Sequence, residues 1–88
     1  MNSHRIGIMT KYILPTDTRP SRVKAYTETG HQVTLTWDSD LDTFENHEKA
    51  AQALMKKMDW EERIIGAAVP GGYAFVMLDK RFSKVQES

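Results

Sequence analysis

Hydrophobic and polar positions alternate in the first third of the chain and then switch to a helical spacing. Ile6, Ile8, Thr10, Tyr12 and Leu14 fall on every second position, which predicts a strand over about residues 5–14. Pro15 and Pro20 then bracket hydroxyl and charged residues, the pattern of an extended loop. Arg22–Thr27 and His31–Trp37 alternate again on either side of Glu28-Thr29-Gly30. A three-residue turn with Gly30 in the left-handed region pairs Thr27 with His31, Ala25 with Val33, Val23 with Leu35 and Ser21 with Trp37. The apolar partners then share one face. Arg22, Lys24 and Tyr26 share the other, opposite Thr36, Thr34 and Gln32. A two-residue loop would set Lys24 against Leu35 and mismatch every pair.

Downstream, the period lengthens. Asp42 is placed to cap a helix, and Glu45 three residues later completes a capping-box variant. Phe44, Ala51, Leu54, Met55 and Met58 fall on one stripe, with His47 and Glu48 at the intervening turn. The spacing predicts a helix over about 43–58 that ends near Asp59-Trp60. Ile64–Val69 and Tyr73–Leu78 flank Pro70-Gly71-Gly72, a hairpin signal. The second run is apolar on both faces, which places it centrally in the sheet. The fold class is therefore α+β: a small antiparallel sheet with one helix packed on one face, in the order β-β-β-α-β-β. Val23, Val33, Leu35, Phe44, Leu54, Met58 and Val76 are the expected core. Residues 1–88 read as a single domain, with 1–8 as an extension ahead of a second start at Met9 and 79–88 as a frayed tail.

Composition narrows the function. A chain of 88 residues and 10.1 kDa makes one small core and leaves little room for an enclosed active site. Twelve basic and twelve acidic residues give zero net charge, which excludes a uniformly basic nucleic-acid coat and an acidic DNA mimic. The charge is segregated, at +3 over residues 1–36, −5 over 37–62 and +2 over 63–88. The chain has no cysteine, hence no disulfide and no thiol nucleophile. The longest nearly apolar stretch, Ile64 to Leu78, is too short for a membrane span and is cut by Pro70, Gly71 and Gly72. No apolar leader opens the chain, so a cytoplasmic protein without a membrane partner is expected.

Several catalytic and metal patterns start and fail. Asp38, Asp40 and Asp42 copy the first ligands of a calcium loop, but Thr43 and Lys49 stand where its Gly and Glu belong. His47-Glu48 opens a zinc-protease pattern that Ala51 breaks. His4, His31 and His47 have no ligand spacing, and no phosphate-binding glycine loop or nucleophile elbow occurs. Trp37 and Trp60 read as core or core-edge residues. A non-enzymatic protein without cofactor, metal or small-molecule substrate is the expectation.

What survives is the stretch from Pro15 to Tyr26. It gathers Thr16, Thr18 and Ser21, with Arg19, Arg22, Lys24 and Tyr26, in one loop and the outer strand face that follows. Hydroxyls and guanidinium forks are the usual donors to phosphate oxygens. An aromatic ring among cations offers a stacking surface. Arg19, Arg22 and Lys24 would contact phosphate, Thr16, Thr18 and Ser21 would donate hydrogen bonds, and Tyr26 would stack or pack. The alternative is a host-protein partner engaged through the acidic stretch 38–48 and the same loop.

Thr10-Lys11-Tyr12, Pro15-Thr16, Thr18-Arg19, Ser21-Arg22 and Lys24-Ala25, followed by Glu45-Asn46-His47, Ala50-Ala51, Ala53-Leu54, Trp60 and Gly71-Gly72-Tyr73, resemble a family of small proteins of bacteriophages, prophages and plasmids. The resemblance spans about residues 9–78. This chain departs from the family in the loop, with Asp17 for Asn and Pro20 for Gly. The resemblance implies a mobile-element context, in which a small protein acts by binding nucleic acid or a host protein such as a defence or replication enzyme.

Overall fold

Alternation and turn chemistry fold the described residues into five strands and one helix. The computed structural model describes residues 7–61 and 63–78. Strands β1 (Gly7–Ile13), β2 (Arg22–Tyr26) and β3 (Gln32–Thr36) precede helix α1 (Thr43–Met58), and β4 (Arg63–Val69) and β5 (Gly72–Leu78) follow it. All neighbouring strands are antiparallel, in the sheet order β3-β2-β1-β5-β4. The expected α+β class and element order hold. The expected strand start at residue 5 and the tail 79–88 lie outside the described residues. Gly7 and Ile8 do not belong to an extension, because both sit in β1 and Ile8 is fully buried.

The β2–β3 hairpin has the register that its turn dictates. Val23 faces Leu35 and Ala25 faces Val33. The Thr27 amide donates to the His31 carbonyl at 3.0 Å, and the Trp37 amide donates to the Ser21 carbonyl at 2.9 Å. Gly30 has φ of +98°, the left-handed conformation that makes glycine the favoured residue there. At the other hairpin, Gly66 answers a different need. It lies opposite Phe75, whose ring fills the space a β-carbon would take.

Helix α1 starts and stops on named hydrogen bonds. The Asp42 carboxylate accepts from the Glu45 amide at 2.8 Å, and the Glu45 carboxylate accepts from the Asp42 amide at 3.0 Å, completing the capping box. Buried Asn46 ties the acidic lead-in to the helix. Its Oδ1 accepts from the Asp38 amide, and its Nδ2 donates to the carbonyls of Asp38, Leu41 and Asp42. At the other end Asp59 takes a left-handed turn, φ +60°. The Asp59 amide donates to the Lys56 carbonyl and the Trp60 amide to the Met55 carbonyl, a Schellman closure.

The helix lies across β1, β2 and β3 and reaches β5. Ala50, Ala51 and Ala25 are fully buried, and such small side chains let helix and sheet approach closely. Around them pack Ile8, Val23, Leu54, Met55, Phe75 and Met77, with Val33, Leu35, Met58, Trp37 and Trp60 partly buried at the margin. Two expected core residues are corrected. Val76 is 40% exposed because its side of the sheet faces away from α1. Phe44 is 36% exposed because it sits in the first helical turn, at the rim, against Tyr73 and Phe75. β5 is interior, between β1 and β4, but among the described residues only the face of Phe75 and Met77 is covered.

Candidate nucleic-acid interface

Strand parity divides the residues between two faces. Thr10, Val23, Ala25 and Phe75 turn toward the helix. Met9, Lys11 and Ile13 of β1, with Arg22, Lys24 and Tyr26 of β2, turn away from it. The β1–β2 register then sets Lys11 directly opposite Lys24, Arg22 opposite Ile13, and Tyr26 opposite Met9. The Lys11 and Lys24 ammonium groups stand 5.7 Å and 5.8 Å from the centre of the Tyr26 ring. Both lie within cation–π range of one aromatic face.

Among the described residues these cations have no acidic counterpart. Among the described residues the one ion pair joins Lys49 to Asp38, at 3.8 Å, on the helix side. Like charges opposite each other on a sheet are destabilising, so the Lys11–Lys24 pair is not explained by the stability of the sheet. Arg22 Nε is shielded from solvent and has no hydrogen-bond partner among the described residues. Thr34 and Thr36 of β3 complete this half of the face with neutral hydroxyls.

The other sequence-derived site residues are placed differently. Thr16, Thr18 and Arg19 are exposed in the 14–21 loop, which is tighter than an extended loop. The Thr16 amide donates to the Arg19 carbonyl at 2.9 Å, and the Arg19 amide donates to Thr16 Oγ1 at 3.1 Å. Ser21 lies on the helix face of the sheet, where its hydroxyl bonds that of Tyr12 at 2.8 Å. It is not brought together with Arg22, Lys24 and Tyr26. Lys11 is the residue that sequence reasoning missed. Its parity was readable from the alternation of β1, but its neighbours depend on the pairing of β1 with β2 across the 14–21 loop.

On the covered face His47 is buried, not placed at a helix flank. Its Nδ1 is 2.8 Å from Thr10 Oγ1, and the Thr10 hydroxyl donates to the Tyr73 carbonyl at 3.4 Å. The imidazole packs between the rings of Trp37 and Tyr73. Burial lowers its pKa from the ordinary 6.5, which favours the neutral form. The acidic lead-in is used internally, with Asp42 and Glu45 in the cap and Asp38 accepting from the Asp40 amide. Among the described residues no group of three His, Cys, Asp or Glu side chains is placed to hold a metal ion, and no helix is long and apolar enough to cross a membrane. Comparison of the chain with family models, curated proteins and solved structures gives no match.

Proposed function

We propose that this protein is a small non-enzymatic module that grips nucleic-acid backbone with the outer face of β1 and β2. The observation that carries the reading is that Lys11 and Lys24 converge on Tyr26, with Arg22 next along the same strand face, and that none of the three has a carboxylate partner among the described residues. Phosphate oxygens would supply the missing counter-charges, and the Arg22 guanidinium offers a fork for them. Arg19, Thr16 and Thr18 extend the contact into the loop. Ser21, already bonded to Tyr12, is left out of it. A cytoplasmic, mobile-element setting is part of this proposal and rests on the family resemblance.

The test is fluorescence anisotropy of labelled single- and double-stranded oligonucleotides at about 50 mM salt, where backbone contacts are strong. Three neutralised phosphates give a log–log salt slope of about −2 to −3. Arg22→Glu with Lys24→Glu is expected to abolish binding, and because both side chains are half-buried a thermal melt of the variant must accompany the test to show that it stays folded. No binding by the wild-type protein would overturn the reading.

A second reading, an accessory factor that binds a host protein, is favoured by one observation. Beside the cations the same open face turns apolar, with Ile65 60% exposed and Val76 40% exposed. Stoichiometric retention of one host protein, insensitive to salt, together with no oligonucleotide binding, would put this reading first.

A further inference from the structure

The two edges of the sheet are built differently. In the β2–β3 hairpin the odd-numbered residues of β3 exchange hydrogen bonds with β2, so the main chain of Gln32, Thr34 and Thr36 points to the open edge. That edge is guarded. Its side chains alternate with polar groups, and Lys57 reaches from the helix to donate to the Gln32 carbonyl at 2.9 Å. At the opposite edge β4 reads Arg63-Ile64-Ile65-Gly66-Ala67-Ala68-Val69, without a charge after Arg63 and without a proline before Pro70. The two-residue turn Pro70-Gly71 makes Val69 and Gly72 the closing bonded pair. Ala67, Ile65 and Arg63 then also bond toward β5, and the amides and carbonyls of Ile64, Gly66 and Ala68 face outward, unpaired among the described residues.

We propose that β4 is a dimerisation edge that pairs antiparallel with β4 of a second copy about a two-fold axis at Gly66. The register is self-complementary, as an isologous contact requires. Ile64 meets Ala68 of the second copy, Gly66 meets Gly66, and three residues on each side exchange six main-chain hydrogen bonds. On the outer face exposed Ile65 comes opposite Ala67 of the second copy. No charge stands opposite a like charge. The outer apolar residues Ile65, Ala67, Val69, Ala74, Val76 and Met9 of each copy become one tract across a ten-stranded sheet. The two cationic patches stand at its two ends. A contact limited to one strand edge and its flanking side chains is smaller than the usual stable interface, so a weak, concentration-dependent dimer is expected.

Sedimentation equilibrium of the full 88-residue chain, without nucleic acid, from about 5 to 500 µM tests this. The mass is expected to rise from the 10.1 kDa of one chain toward twice that value. Ile65→Lys with Ala67→Lys sets like charges opposite each other twice and is expected to hold the chain monomeric at every concentration. Ile65→Lys with Ala67→Glu sets opposite charges in the same places and is expected to recover the dimer. A monomeric wild type, a dimer that survives the double lysine, or a failed Lys/Glu rescue would each overturn the proposal. Ile65→Cys with Ala67→Cys in this cysteine-free chain gives a readout that does not depend on how the charged variants fold. Mild oxidation is expected to yield a covalent dimer on a non-reducing gel, and a persistently monomeric band would overturn the proposal.

Discussion

The sheet has two unlike halves. β1, β2 and β3 are covered by the helix on one side and carry Lys11, Arg22, Lys24 and Tyr26 on the other, and their outer edge is closed by Lys57. β5 and β4 present Val76, Ala74, Ile65 and Ala67 on the open face and end in an edge that no other described residue pairs with. Apolar burial under the helix therefore stabilises the first half and the inner face of β5, while the second half also exposes Ile65 and Val76 on a face that no other described residue covers. One antiparallel sheet can thus separate a charged contact surface from an apolar one without a second domain. The difference also divides the expected consequences of substitution.

The largest effect is expected where the halves are most unequal in burial. Leu54→Ala, on the buried face of the helix, should cost roughly 2–5 kcal/mol, whereas Ile65→Ala, on the open face, should cost under about 0.5 kcal/mol. Urea denaturation of both variants measures the gap, and equal costs would dissolve the contrast. Asn46→Ala should cost roughly 2–3 kcal/mol, since it strips the Asp38 amide and three carbonyls of a buried partner.

His47 gives the covered half a pH dependence. Its pKa is lowered in the folded state, so below about pH 6.5 the unfolded chain takes up a proton that the folded chain refuses. Stability should therefore fall as pH drops from 7 toward the folded value, then level off once folded His47 also protonates. His47→Gln should flatten this part of the profile in thermal melts. The smallest effect is a gain. Asp59 holds a left-handed conformation that glycine adopts without strain, so Asp59→Gly should raise stability by about 0.5–1 kcal/mol.

The sequence disclosed what local chemistry decides. Gly30 and the alternation around it define the β2–β3 register, and Asp42 with Glu45 marks the helix start. Nonlocal features were less legible. Alternation alone does not say that β1 lies between β2 and β5, so the Lys11–Lys24 opposition was hidden. Val76 looked like core because its strand is apolar on both faces, and an uncovered apolar face has the same pattern as a buried one. Nothing in the local pattern marks Asn46, since its partners lie in a loop that the helix itself organises. Within the candidate site, Arg22, Lys24 and Tyr26 could be placed on one face from the turn length. The opposite placement of Ser21 also follows from that register, whereas its hydrogen bond to Tyr12 depends on the pairing of β1 with β2.

A backbone amide NMR titration with a single-stranded oligonucleotide at low salt tests the division of the face most directly. The account predicts that the amides of Lys11, Arg22, Lys24 and Tyr26 shift together and saturate, while those of Ile64–Val69 in β4 stay in place. Shifts centred on β4, or on the helix and its acidic lead-in, would contradict it, as would a spectrum that does not change.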